Sequence, residues 1–449
     1  MFRIGILPEV AGLLAVDDTD QGCLLKILSL IVRHGGDSVK LEILREHMLP
    51  LIVVLEQHLD DFRSSELAVI TICHCYEILY PPFTYKDPPG FSDGALSLAV
   101  NTITDIFRHS NPSHNLIIHG LPTLMLGARV CPWDMIDDMA LTLQLFCAMT
   151  RSENISLRCS ATWVLLGVYP RELEKGAPSL FSPLRFTLEG FPADLRAVMD
   201  EYGLERCETT LLRRCTKLFI DLLWNFLDDQ NLFKFGTKMA NILIHGRYFY
   251  DDGDIPDYAE SNLPFDDWVE CMPAAAKVLR QHPHGGAVDL DRADVLDLEY
   301  LIMGKPHEEV EAFARNVMAR NPQHAYAHVL FCMRAANHQE VLEVAKRGLE
   351  IEDITPYLRR HLLVVLMDRY VTKAWTFLLE AGPADTRMHK VGTEALLTGL
   401  EYAEVMLREA PPDARDLMRV FNTYILNVIS ARGPELSEDL SELKVRTPT

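Results

Sequence analysis

The chain has 449 residues, of which 48% are hydrophobic and 24% charged, a globular composition that excludes disorder as the main state. Its 24 Gly and 25 Pro residues are near average usage, which excludes collagen-like and low-complexity architectures. Asp and Glu outnumber Lys and Arg by 64 to 43, giving −21, a balance opposed to a dedicated binder of nucleic acid or anionic membrane.

Along the chain, the first twenty residues carry one Arg and a short apolar run interrupted by Pro8 and Glu9, a poor match to a secretory leader, so they read as mature sequence. Apolar residues then recur at helical spacing over 24–32, 65–79, 95–107, 137–149 and 155–168. The clearest helix is predicted over 204–227, where Leu204, Cys207, Leu211, Cys215, Leu218, Leu222 and Phe226 step by three and four along one face. Another follows over 266–280. No period-2 run of β-branched residues suggests a sheet, so the expected fold class is all-α. The apolar stretches 49–55 and 121–126 fall far short of the ~18 residues that a membrane span needs.

Residues 308–328 resemble the second helix of a tetratricopeptide repeat running into the first helix of the next. Val310, Ala314 and Val317 allow close approach, Asn321-Pro322 ends the helix, and Ala325 opens its successor. The pattern returns 31 residues later with Val341, Ala345, Gly348 and Leu349, and with Pro356 in the next first turn. A third copy places Ala403, Leu407, Pro411 and Ala414 in register with Ala314, Met318, Pro322 and Ala325, after an interval of 58. In the N-terminal half, His47-Met48-Leu49-Pro50 and His119-Gly120-Leu121-Pro122 lie 72 residues apart, close to two armadillo or HEAT units of ~40 residues. The expected architecture is a helical-repeat solenoid. Its parts are an armadillo/HEAT-like region 1–180, connecting helices 181–286 with a polar loop 247–264, tetratricopeptide-like repeats 287–432, and a polar tail 433–449.

Several segments have the spacing of catalytic or metal-binding motifs. Gly90-Phe91-Ser92-Asp93-Gly94 has the spacing of a nucleophile elbow, but Asp87-Pro88-Pro89 stands where an apolar strand is required; Ser92 reads as a helix cap. Asp266-Asp267-Trp268-Val269-Glu270 fits the Mg²⁺-binding helix of a prenyl-diphosphate lyase, yet Asp137-Asp138, Asp228-Asp229 and Asp251-Asp252 do not, and no partner motif exists. Asp266 and Asp267 are better read as first-turn acids favoured by the helix dipole. Cys73-His74-Cys75 lies within a predicted helix where neighbouring side chains diverge, so it reads as core thiols beside a partly exposed His. His307-Glu308-Glu309-Val310-Glu311 lacks the second zincin His, and Asp251, Asp252, Asp254 and Asp257 have the wrong order for an EF-hand. No catalytic, cofactor-binding or metal-binding residue and no cofactor is therefore expected. Ten scattered cysteines without a C-x-x-C pair suit reduced thiols in an intracellular setting, cytoplasmic or nuclear, where the Asn154-Ile155-Ser156 sequon carries no meaning.

Residues 235–268, the repeat-like block after them and the stretch 424–436 resemble large proteins of mushroom-forming fungi. These are built of armadillo-like and tetratricopeptide-like helices and often carry a MYND-type zinc finger. Such a finger needs successive Cys pairs at two-residue spacing, which this sequence lacks, so zinc binding is not carried over. The resulting expectation is a non-catalytic scaffold for protein–protein interaction, with a protein or peptide partner of basic character and no membrane. Two alternatives stand beside it. One is an all-α enzyme of unrecognised type; the other is a nucleic-acid-binding repeat protein using Arg359, Arg360, His361, Arg369 and Lys373.

Overall fold

The computed structural model describes residues 21–57, 61–79, 93–108, 112–131, 134, 139–176, 191–250, 255–256, 263–283, 286–381 and 385–437, and within them there are helices and no strand. Two compact units emerge. The first is Met1–Gly176 with Arg432–Glu435, and the second is Ala177–Ala431 with Leu436–Thr449. Among the described residues no helix is long and apolar enough to cross a membrane.

The first unit begins with α1 (Gln21–His34), which Gly36, at φ +74°, turns into the short α2 (Gly36–Glu42). A π-helical turn, Ile43–His47, leads into α3 (Met48–Gln57). Then follow α4 (Phe62–Tyr76), α5 (Asp93–Arg108), α6 (His114–Val130), α7 (Ala140–Met149) and α8 (Ile155–Gly176). Side-chain caps set two of the starts: Asp61 accepts from the Arg63 amide and Ser113 from the Leu116 amide. Helices α3 and α4, α5 and α6, and α7 and α8 pack as consecutive pairs. Across the pairs, α3 packs on α5 and α5 on α7, while α4 packs on α6 and α6 on α8. Two layers result. Between them lies one apolar core that includes Leu51, Ile72, Tyr76, Val100, Leu124 and Phe146. A Cβ at Gly127 of α6 would stand 2.5 Å from Val100 of α5, so the approach of this pair depends on the missing side chain. Within one layer the Thr104 and Thr142 hydroxyls share a buried 2.8 Å hydrogen bond between α5 and α7.

The second unit runs α9 (Ala193–Tyr202), α10 (Glu208–Asp229), α11 (Leu232–His245), α12 (Cys271–Gln281), α13 (Ala287–Gly304), α14 (His307–Arg320), α15 (Ala325–Arg334), α16 (His338–Leu349), α17 (Pro356–Glu380), α18 (Thr386–Glu409) and α19 (Leu417–Arg432). Helices α11, α13, α15 and α17 pack successively on one another, and α12, α14 and α16 each pack on the two of that row that flank them in sequence. The row curls back on itself, because α11 also packs against α17. Thr355 secures this closure: its hydroxyl caps α17 through the Leu358 amide (3.3 Å) and donates to the Ile244 carbonyl near the end of α11 (2.6 Å). Helix α19 buries Val420, Tyr424 and Val428 in a cluster with Leu363 and Met367 of α17 and Leu400, Ala403 and Met406 of α18.

The first two repeat-like segments behave as their residues imply. Val310, Ala314 and Val317 are buried in α14, which stops before Asn321-Pro322, and α15 opens at Ala325. Val341, Ala345 and Gly348 are buried in α16, and Pro356 occupies the first turn of α17. A Cβ on Gly348 would come within 2.6 Å of Leu362 Cδ1, so α16 and α17 meet where the pattern puts a small residue. The third copy departs. Ala403 is buried and α18 ends before Pro411, but Ala414 remains in a turn and α19 begins only at Leu417. The irregular 58-residue interval has a plain cause in α17 and α18, which are 25 and 24 residues long against 14 for α14 and 12 for α16.

The helix expected over 204–227 also needs correction. Gly203, at φ +103°, opens a 3₁₀ turn over Leu204–Arg206, and α10 starts at Glu208. Its buried face keeps Cys215, Leu222 and Phe226 of the expected stripe and adds Phe219 and Leu223, whereas Leu218 is 48% exposed. Leu211 is only half-buried, since the N-terminal turns of α10 face a cavity.

Candidate functional site

The Pro411-Pro412 break after α18 throws the loop 410–416 across the start of α10. There the Asp413 carboxylate accepts from the amides of Glu208 (2.9 Å) and Thr209 (2.8 Å), filling donors that a helix N-terminus leaves open. Beside this cap opens a cavity of about 890 Å³, within the usual range for ligand sites. Its walls are apolar, formed by Phe191, Leu195, Leu211, Leu212, Phe249, Leu407 and Leu417, with Met418 and Phe421 exposed along its edge. Its polar end gathers Glu208, Arg247, Tyr357 and Arg360.

The polar groups come from three places: Glu208 from the start of α10, Arg247 from beyond the end of α11, and Tyr357 and Arg360 from α17. Arg247, just beyond the end of α11, donates from Nε to the Tyr357 hydroxyl at 3.3 Å, and Arg360 of α17 lies 3.6 Å from the Glu208 carboxylate. Burial pushes the Glu208 carboxyl up against the opposing pull of Arg360, and burial likewise raises the Tyr357 hydroxyl. His361 continues this floor, edge-on to Tyr357 with ring centroids 4.7 Å apart. Burial, then the charge of Arg247, pushes its imidazole down to about 4, with Asp416 opposing. Among the described residues Thr209 and His245 also line the cavity, and the imidazole of His361, held neutral beside cations, is a weak proton acceptor.

A depressed histidine has a defined linkage sign. The unfolded chain takes up the His361 proton near pH 6.5 while the folded chain resists it to about 4, so stability present above pH 6.5 is lost progressively as the pH falls through that window. Urea midpoints measured between pH 7 and pH 4 should drop more steeply for the wild type than for His361→Gln. Parallel slopes would contradict a buried neutral imidazole.

The residues singled out in the sequence lie elsewhere. Asp267 caps the 3₁₀ turn Trp268–Glu270 through the Val269 amide (3.1 Å), and the Asp266 amide donates to Glu270 (3.2 Å), so this acidic triplet is engaged in starting α12. Cys73 and Cys75 are buried in α4, with the Cys73 thiol pushed up by burial to about 12, and His74 pairs with Glu77 at 2.7 Å. His307 Nε2 lies 3.1 Å from Arg334. The basic cluster is tied into the fold: Arg359 pairs with Glu409 (2.7 and 3.1 Å), Arg360 pairs with Glu208, and Arg369 donates to the Ala335 carbonyl. Residues 90–92, 137–138, 251–254 and 257 lie outside the described residues, so the Ser92 cap and the EF-hand-like acids do too.

Asp291, Asp294 and His324 also approach one another closely enough to suggest a cation site. Their atoms are already engaged. Asp294 receives Arg280 and Arg320, each at 2.6 Å, and Arg320 also reaches Asp291 at 2.6 Å. Because the Ala327 amide donates to His324 Nδ1 (3.1 Å), Nε2 carries the proton and donates to the Asp291 carbonyl (3.0 Å). The cluster staples α12, α13 and α14 to the start of α15.

The cavity residues had weak signals in the sequence. Arg247 and Phe249 fell in a segment read as a connecting loop, and Leu211 read as core. The chain matches no known protein family, no curated protein and no solved structure.

Proposed function

We propose that the chain is a non-catalytic helical-repeat scaffold for protein–protein interaction, armadillo/HEAT-like in the first unit and tetratricopeptide-like in the second. One observation carries this reading: in both units helices pack on their sequence neighbours and on the next helix but one, which is how stacked helix pairs build a continuous core. Stacking of this kind frees the outward side chains for partner recognition. The −21 charge favours a basic protein or peptide partner, which electrostatics would steer towards the surface. Membership in the fungal armadillo/tetratricopeptide-like group is part of the same proposal.

Affinity purification of the tagged full chain from its native organism, with mass spectrometry, tests it. A reproducible partner whose recovery falls with added salt is expected. Recovery of chaperones alone, or of nothing above background, would count against a scaffold.

A further inference from the structure

Among the described residues, Ile43–His47 in the first unit is the one π-helical turn. In an α-helix a side chain five residues on stands about 140° round the axis, on another face. The i→i+5 bonding of a π turn brings it back towards the first, and such turns recur at functional sites. Here the turn gathers Glu42, Glu46 and His47: one carboxylate oxygen from each glutamate and one imidazole nitrogen all lie within 4.8 Å of one another. The apolar side of the segment is fixed, since Ile43 and Met48 are buried in the first unit's core and the turn packs against α2, α3 and α4.

Among the described residues no ion pair or hydrogen bond engages the carboxylate of Glu42 or Glu46, and His47 Nε2 is shut off from solvent with no hydrogen-bond partner. Two carboxylates at i and i+4 repel each other, and a buried ring nitrogen without a partner costs free energy. The Asp291–Asp294–His324 cluster gives the contrast, because there Arg280 and Arg320 already supply the positive charge. We propose that Glu42, Glu46 and His47 form a Zn²⁺ site whose fourth position is open to water. The donor set decides the metal: an imidazole nitrogen beside two carboxylate oxygens suits Zn²⁺, whereas Mg²⁺ and Ca²⁺ take oxygen ligands. Zn²⁺–donor distances of about 2.0–2.2 Å require the three atoms to draw together by roughly an ångström. The rotatable glutamate side chains allow this closure, Glu46 being exposed and Glu42 half-buried.

Isothermal titration of the metal-stripped full chain with Zn²⁺, and in parallel with Mg²⁺, tests the site. The exposed thiols are removed as competing ligands by Cys23→Ser and Cys147→Ser. One Zn²⁺ per chain is expected, with Mg²⁺ bound at least a hundredfold more weakly. Glu46→Gln and His47→Ala should each weaken Zn²⁺ tenfold or more. Because Glu46 is exposed, Glu46→Gln leaves the fold intact and keeps the test decisive if the His47 variant fails to fold. No Zn²⁺ binding, Zn²⁺ binding indifferent to Glu46→Gln, or Mg²⁺ bound as tightly as Zn²⁺ would overturn the site.

Discussion

Phe219→Ala should destabilise the second unit by about 3–5 kcal/mol, the range for removing a fully buried phenyl ring. Phe219 is 0% exposed, stacks on Tyr248 with centroids 4.1 Å apart, and meets Trp268 edge-on at 4.9 Å. It therefore holds the segment following α11, including Arg247 and Phe249 of the cavity, against α10 and the start of α12. The preceding residue gives the control. Leu218 is 48% exposed, and Leu218→Ala should change stability by no more than about 0.5 kcal/mol. Urea unfolding followed by a second-unit probe checks both; equal losses at the two positions would mean that the face of α10 is assigned wrongly.

Asp294→Ala should cost about 2–3 kcal/mol. The buried Asp294 carboxylate accepts from Arg280 of α12 and Arg320 of α14, so its loss removes two charge-assisted bonds and leaves Asp291 and Asp297 as the remaining partners. The arginines are themselves about a third exposed, which sets the figure below that for a fully buried pair. By contrast, the Lys390–Glu394 pair is 3.9 Å apart with both side chains more than half exposed, and Glu394→Ala should be within about 0.5 kcal/mol of wild type. Thermal or urea denaturation distinguishes a connecting network from a surface pair.

Helix existence was legible because the 3.6-residue period is written directly into burial: the segments near 24–32, 95–107 and 155–168 all fall inside α1, α5 and α8. Small residues at repeat positions were equally readable, since Ala314, Ala345 and Gly348 are buried and a Cβ on Gly348 would run into Leu362 of α17. The face of α10 was legible only in part: Cys215, Leu222 and Phe226 are buried as expected, while Phe219 and Leu223 were missed. Its N-terminal turns border a cavity, so Leu211 obeys the apolar period without entering the core, and Phe219 answers to Tyr248 and Trp268, whose positions come from a loop. The basic cluster at 359–373 misled for a related reason: local charge density says nothing about partners 50 residues away in α18 or more than a hundred away in α10. The polar end of the cavity was invisible because Arg247 and Arg360 come to one cavity only through the packing of α11 on α17.

Stacked repeats and an irregular bundle respond differently to local damage, since each repeat contacts only its neighbours. Amide hydrogen exchange, resolved helix by helix, on the Phe146→Ala chain therefore tests the repeat reading most directly. Phe146 is fully buried in α7, which packs on α5 and α8. In a stacked array protection should fall in α5, α7 and α8 and in their neighbour α6, while α1 keeps wild-type protection. An equal loss of protection from α1 through α8 would contradict it and show a single undivided core.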